Sequence, residues 1–135
     1  MKGVGKLQDV LRGRSDIRLA YLFGSTAHGR QRPSSDVDIG VLFASQPTPA
    51  TLDGLAAELA SAARQSVDLV NLGTAPPLLA HEIVSQGKIL VCRDDEERAR
   101  FEARVIARYL DTAHLREVQY GYLRDRIEAR RATSS

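Results

Sequence analysis

Two apolar segments, separated by a polar stretch that begins with glycine, limit the architectures open to this chain. Residues 17–23 are apolar almost throughout and are followed by Gly24, which predicts a buried strand that ends in a turn. Residues 37–43 repeat this character, and their side chains alternate between two faces. One face is apolar and predicts a core contact, whereas the other begins with the carboxylates of Asp36 and Asp38.

The remaining sequence alternates between helical and strand patterns. Apolar residues recur with a helical period before Gly13, between residues 52 and 65, and between Pro77 and Gly87. Short apolar runs at residues 67–70 and 88–92 predict two further strands. This alternation predicts a layered α+β (α/β) domain, in which helices pack on a small mixed sheet.

A charge-rich segment with a helical period follows Asp94 and predicts a long C-terminal helix. Its apolar positions are spaced by four residues at first and continue after a change of phase, as in Phe101, Val105, Leu115 and Val118. Two interpretations stay open: part of this apolar stripe binds a partner, or the helix packs against its own sheet.

The composition predicts one domain and no charge-driven binding of nucleic acid. A chain of 135 residues with 43% hydrophobic residues supports a single core, so we predict one domain at 1–135, with its core at about 1–93 and a helical segment at about 94–131. Lys and Arg total 19 against 17 Asp and Glu, a net charge of +2, so nucleic acid is not expected as a direct partner. Without an apolar run of membrane-span length or a secretory signal, a cytoplasmic protein is expected.

The chemistry-bearing residues lie around the first two predicted strands. Asp36 and Asp38 are two apart on a strand, so both carboxylates point to one side, an arrangement that a cation between them would stabilise. Such oxygen ligands favour Mg²⁺ or Mn²⁺, with phosphate oxygens completing the coordination. Asp68, in the third strand, either joins this site or is exposed at a strand end. Gly24 permits close approach of a phosphate to the backbone, and Ser25 adds a hydroxyl donor.

These residues resemble a known enzyme superfamily. Gly24-Ser25, a gap of ten residues, Asp36-Val37-Asp38, and then Asp68 on a later strand resemble the nucleotidyltransferases related to DNA polymerase β, and in particular their minimal (MNT) members. The resemblance implies a polymerase β-like fold, with ATP as substrate and its phosphates at Gly24 and Ser25. It also implies two Mg²⁺ ions, or Mn²⁺ in their place, on Asp36, Asp38 and Asp68, and a catalytic role for these three carboxylates. Asp68 is expected to help deprotonate the acceptor hydroxyl.

The resemblance also implies a protein acceptor. Minimal members are paired with a HEPN-family ribonuclease toxin. The expected activity is therefore transfer of AMP from ATP to a hydroxyl of that toxin, with tyrosine as the expected acceptor. This activity makes the chain the expected antitoxin. Two alternatives stay open, namely a non-catalytic antitoxin that neutralises the toxin by binding and an adenylyltransferase that modifies a small-molecule antibiotic.

Several other polar residues are weaker candidates. His28 stands where many minimal members carry another residue, so a role in contacting phosphate is not assigned to it. Arg30, Arg32 and Lys88 have side chains suited to binding phosphate, and each is equally explained as a solvated surface charge. The single cysteine, Cys92, is expected to be a small buried hydrophobic residue.

Overall fold

A mixed sheet forms the centre of the computed structural model, which describes residues 4–24 and 36–133. Within those residues there are four strands, β1 (Ile17–Phe23), β2 (Val37–Phe43), β3 (Val67–Asn71) and β4 (Lys88–Cys92), arranged in the order β3-β2-β1-β4. β1 is antiparallel to both β2 and β4, whereas β2 and β3 are parallel. The predicted mixed sheet is therefore confirmed.

Helices cover both faces of this sheet. In chain order they are α1 (Val4–Arg12), α2 (Pro49–Ala63), α3 (Pro77–Gln86), α4 (Asp95–Asp111) and α5 (Ala113–Thr133). α1 and α2 pack on one face, and α3 and α4 pack on the other. The layered α+β class predicted from the alternating patterns is confirmed, and the connection between the parallel strands β2 and β3 runs through α2.

Each face of the sheet has its own apolar cluster. The cluster under α1 and α2 contains the predicted apolar face of β2, namely Val37, Ile39, Val41 and Phe43. The cluster under α3 and α4 contains Tyr21, Ile83, Phe101 and Val105 among its buried members. Phe101 and Val105, the first part of the apolar stripe in the C-terminal segment, are therefore core residues and are not available to a partner.

The C-terminal segment is two helices, whereas a single long helix was predicted. α4 ends at Thr112, whose hydroxyl donates to the carbonyl oxygens of Arg108 and Tyr109 at 3.2 and 3.0 Å. α5 then begins, and Arg116 reaches back to donate to the carbonyl oxygen of Tyr109 at 2.7 Å. The change of phase in the sequence pattern marks this junction, because the two helices present their apolar residues in different directions.

Arg93 fixes the first helix to the end of the sheet. Its guanidinium donates to the carbonyl oxygens of Leu11 and Arg12 at 3.3 and 2.9 Å, where α1 ends, and to those of Arg14 and Ile17 at 3.1 Å each. The last carbonyls of a helix lack partners within it, and a cation there also interacts favourably with the helix dipole.

Among the described helices, none is long and apolar enough to cross a membrane.

Candidate active site

The parallel pairing of β2 and β3 brings two of the predicted carboxylates together. Asp38 on β2 is the register partner of Asp68 on β3, so their side chains lie on the same face of the sheet. Asp36 directly precedes β2 and is exposed, as is Asp68, while Asp38 is half-buried. All three residues therefore lie at the end of the sheet where both strands begin.

The end of β1 closes this site from the other side of β2. Phe23, the last residue of β1, is the register partner of Asp38, and Gly24 follows it in a left-handed conformation with φ of 74°. A Cβ atom at Gly24 would lie only 2.3 Å from Oδ2 of Asp38. Glycine is therefore required here for two reasons, its backbone conformation and its contact with a carboxylate.

Asp38 lies in a negative electrostatic environment. Burial raises the pKa of its carboxyl group, and the neighbouring charges of Asp68 and Asp36 raise it further. These causes show that Asp38 experiences the fields of both other carboxylates. A cation placed among them would relieve this repulsion, and oxygen donors of this type are the ligands that Mg²⁺ prefers.

The donor chemistry fits a divalent metal ion, but a complete metal site is not preformed. Throughout residues 4–24 and 36–133, no three His, Cys, Asp or Glu side chains are close enough together to hold a metal ion. Coordination by Asp36, Asp38 and Asp68 together therefore stays a prediction that rests on their shared end of the sheet and their electrostatic coupling.

Part of the predicted phosphate-binding segment is not described. Four residues of this segment lie outside the described residues: Ser25, His28, Arg30 and Arg32. The roles predicted for them from the sequence therefore stay predictions. Gly24 is described and lies beside Asp38, whereas binding of phosphate at this turn stays a prediction.

Lys88, one of the weaker candidates, lies away from the carboxylates, and two aromatic residues of α3 and α4 pack against each other. Lys88 is the register partner of Leu22, whose side chain lies in the cluster under α1 and α2, on the opposite face from Asp38. Tyr109 stacks on His81 with ring centroids 3.8 Å apart, and the guanidinium of Arg116 lies 3.9 Å from the Tyr109 ring centre. Tyr109 and His81 therefore serve packing between α3 and α4.

A polar connection between α4 and β1 was not predicted from the sequence. Tyr21 on β1 is buried, and its hydroxyl donates to Glu102, which also accepts from Arg98 at 3.0 Å. Burial and the neighbouring Glu102 raise the pKa of the Tyr21 hydroxyl, so it stays protonated as a donor. The spacing of Arg98 and Glu102 by four residues signals a helical ion pair, but nothing in the sequence indicates Tyr21 as the third member.

A second contact sets the direction of α4 along β1. Nε of Arg18 donates to the two carboxylate oxygens of Glu97 at 3.0 and 3.2 Å. Arg18 contacts Glu97, and Tyr21, further along β1, contacts Glu102, further along α4. The first half of α4 therefore runs in the same direction as β1. It therefore runs toward the end of β1 that carries Gly24.

Comparisons with known proteins identify the family of the chain. The family described as "Polymerase beta, Nucleotidyltransferase" matches residues 5–96. Among curated proteins, the chain is 45% identical over 87 residues to the protein adenylyltransferase MntA of Shewanella oneidensis. It is 28% identical over 100 residues to that of Aphanizomenon flos-aquae, with 67% of each chain covered. The match to the Shewanella protein covers 59% of this chain and 59% of the length of that relative.

Solved structures match over almost the whole chain. A toxin-antitoxin crystal structure with AMP-PNP has a TM-score of 0.76 and 34% sequence identity, covering 92% of this chain and 98% of that one. A structure of the tri-AMPylated Shewanella oneidensis HEPN toxin in complex with its MNT antitoxin has a TM-score of 0.72 and 31% identity, covering 93% and 96% of the two chains. The matched fold therefore includes the C-terminal helices as well as the sheet.

Proposed function

Because the chain belongs to the polymerase beta nucleotidyltransferase family, we propose that it transfers AMP from ATP to a hydroxyl group of a HEPN-family toxin and so acts as the antitoxin. The observation that supports this proposal best is the placement of Asp38 opposite Asp68, with the Gly24 backbone against the Asp38 carboxylate. The reaction is expected in the cytoplasm, where ATP is available.

The proposed chemistry assigns a role to each site residue. The backbone at Gly24 and the hydroxyl of Ser25 would bind the triphosphate, while Asp36, Asp38 and Asp68 would hold two Mg²⁺ ions, or Mn²⁺ in their place. When bound, the metal neutralises charge on the phosphates. Asp68 accepts the proton of the acceptor hydroxyl. The hydroxyl oxygen then forms a bond to the α-phosphorus of ATP. The bond from that phosphorus to the oxygen bridging to the β-phosphorus breaks, and pyrophosphate leaves. Positioning and charge neutralisation supply most of the catalysis.

The acceptor is proposed from the relatives. The curated relatives are named protein adenylyltransferases, and one matched structure contains a HEPN toxin that carries three AMP groups. Tyrosine is the acceptor side chain we propose, because its hydroxyl can be presented at a protein surface and deprotonated by a carboxylate at the site. A small-molecule antibiotic would be the acceptor in the alternative function, which predicts antibiotic resistance on expression of this chain alone.

Intact mass spectrometry tests the proposed reaction. The purified chain is incubated with ATP, Mg²⁺ and the protein encoded in the adjacent reading frame, the expected HEPN-family partner, and the mass of that partner is then measured. We expect mass increments of one or more AMP groups with the wild type and none with an Asp36→Asn/Asp38→Asn variant, which keeps the shape of both side chains and removes their charge. The absence of any AMP adduct with the wild type would refute the proposal.

The same variant separates catalysis from simple binding. If the Asp36→Asn/Asp38→Asn chain fails to protect cells from the HEPN protein, neutralisation requires AMP transfer. Equal protection by the variant and the wild type would instead identify a non-catalytic antitoxin.

A further inference from the structure

The face of α4 that points away from the sheet carries an uncovered apolar row. Ile106 and Leu110 on this face are 46% and 63% exposed. They continue a row of exposed alanines at helical spacing, and the whole set, called here the outer row, consists of Ala99, Ala103, Ile106, Ala107 and Leu110. The opposite face of α4 already supplies Phe101 and Val105 to the core. A helix that is apolar on both faces is expected to be covered on both.

Three arginines border the outer row along one side. Arg100, Arg104 and Arg108 follow one another at intervals of four residues and are all exposed. Arg100 makes a 3.8 Å ion pair with Glu96, a residue that is itself 87% exposed. In the described part of the chain, the guanidinium groups of Arg104 and Arg108 make no ion pair or hydrogen bond. The border therefore offers cationic donors to an outside partner.

The shape and charge of this surface favour an acidic helix as its occupant. The alanines allow a second helix to approach closely, because the distance between packed helices depends on the side chains at the contact. Two copies of this chain that packed antiparallel through the outer row would place their arginine borders side by side, and like charges across an interface are unfavourable. A partner with carboxylates beside its apolar stripe avoids this repulsion.

We propose that the outer row of α4 and its arginine border form the docking surface for an amphipathic helix with an acidic flank on a partner protein. This inference rests on the proposed function, in which the partner is the HEPN-family toxin. The Arg18–Glu97 and Tyr21–Glu102 contacts attach α4 to β1, the strand that ends at Gly24. A partner on the outer row is thus held by a helix that is fixed to a strand of the candidate active site.

Replacing the exposed apolar residues tests the docking surface directly. The affinity of each variant for the proposed HEPN-family partner is measured by calorimetry. The Ile106→Glu/Leu110→Glu variant is expected to bind at least about tenfold more weakly, since large side chains at the centre of an interface supply much of its binding energy. Both residues are exposed, so thermal unfolding followed by circular dichroism should stay close to that of the wild type.

Leu78→Glu is the matched apolar control. Leu78 lies on α3 and is 44% exposed, almost the same fraction as Ile106, but it does not belong to the outer row. Its variant is expected to bind as tightly as the wild type. An equal loss of affinity for Leu78→Glu and for the outer-row variant would overturn the proposal.

Reversal of the border charges tests the chemistry of the partner. We expect Arg104→Glu/Arg108→Glu to weaken binding about tenfold at low salt, with a smaller loss at high salt because exposed charges are screened. Arg124→Glu on α5 is the matched charge control and should leave the affinity unchanged. If the border variant binds as tightly as this control, the partner helix is not acidic and the proposal is wrong.

The docking surface and the proposed function fail in different ways. A wild-type chain that neither binds nor modifies the HEPN-family protein refutes the proposed function. A wild-type chain that modifies it, together with an Ile106→Glu/Leu110→Glu variant that binds equally well, refutes only the docking surface. A dimer of the chain alone that this variant dissociates, or binding of the row to lipid vesicles or to RNA, would assign the surface to another occupant and would also overturn the inference.

Discussion

The contact between Gly24 and Asp38 shows how a missing side chain positions a functional one. Oδ2 of Asp38 occupies the space that a Cβ at residue 24 would need. In the proposed function this carboxylate shares a small volume with phosphate oxygens. It is then expected to need a defined rotamer, because displacements of about 1 Å at a reacting centre reduce rates strongly. Gly24 thereby contributes to the placement of Asp38 as well as to the turn.

Gly24→Ala is expected to impair transfer and stability together. The new methyl group would displace the Asp38 carboxylate, and the left-handed backbone costs a non-glycine residue about 1–2 kcal/mol. We expect AMP transfer at least about tenfold slower than in the wild type, together with a lower melting temperature.

Gly54→Ala is the control for this substitution. No atom lies within 4 Å of a Cβ added at Gly54, which is in α2, so transfer should be unchanged and stability should rise by about 0.5–1 kcal/mol. Wild-type transfer by Gly24→Ala would contradict the positioning role of this glycine.

The raised pKa of Asp38 predicts a pH-dependent effect on stability. Burial and the charges of Asp68 and Asp36 raise the pKa in the folded state, so the folded chain holds this proton more tightly than the unfolded chain. The free energy of unfolding therefore falls as the pH rises from the unfolded pKa through the raised folded one. Asp38→Asn removes this pH-dependent decrease in the free energy of unfolding. The variant is expected to be more stable than the wild type at pH 7 by about 0.2–1 kcal/mol, the usual range for like charges opposite each other in a sheet.

Urea unfolding at pH 7 and at pH 3 checks this expectation. The gain from Asp38→Asn should be present at pH 7 and absent at the lower pH, where the wild-type carboxyl group is protonated in both states. A variant that is less stable than the wild type at pH 7 would show that Asp38 has a favourable partner in the folded chain.

At the scale of the elements, the sequence predicted strands better than it predicted how helices attach to them. β1, β2 and β4 were predicted at their observed bounds, because strong apolar runs end at turn residues such as Gly24. The register that pairs Asp38 with Asp68 was not predicted, since strand register depends on contacts between distant residues. The sequence alone left Asp68 either at this site or exposed at a strand end, and only the family resemblance favoured the site. The Tyr21–Glu102 bond was missed for the same reason, as its partners lie 81 residues apart.

The C-terminal segment shows a different limit of sequence patterns. The helical period changes phase near Thr112, but no glycine or proline there marks an end to the helix, so one continuous helix was predicted. The break at Thr112 depends on hydroxyl contacts with the preceding turn and on the packing of Tyr109 against His81, which comes from α3. Exposure was equally hard to predict, because Val105 and Ile106 are neighbours of similar type, one buried and one exposed.

At the scale of the whole molecule, α5 adds little to the core. Its apolar residues Leu115, Val118 and Ile127 are all more than half exposed. Among the described residues, its contacts with the preceding helix include the bond from Arg116 to the carbonyl oxygen of Tyr109, and neither apolar cluster contains a residue of α5. None of the α5 side chains that the structure describes belongs to either cluster, so we expect the sheet and its four other helices to fold without α5.

Removal of residues 113–135 is expected to leave the domain folded. The melting temperature should change by less than about 4 °C, which corresponds to roughly 1 kcal/mol or less for a domain of this size. Circular dichroism should show the loss of one helix with a single unfolding transition retained. A melting temperature lowered by more than about 10 °C would show that α5 supports the core.

The pairing of Asp38 with Asp68 has a consequence for changes in chain length. A residue added to the segment 44–48, before α2, leaves the register of β2 and β3 unaltered, so the two carboxylates still face each other. A residue added between Val67 and Asp68 would turn the second carboxylate to the opposite face of the sheet. Insertions are thus expected to be tolerated in the connection ahead of the α2 cap at Thr48, whereas the starts of both strands are expected to be fixed in length.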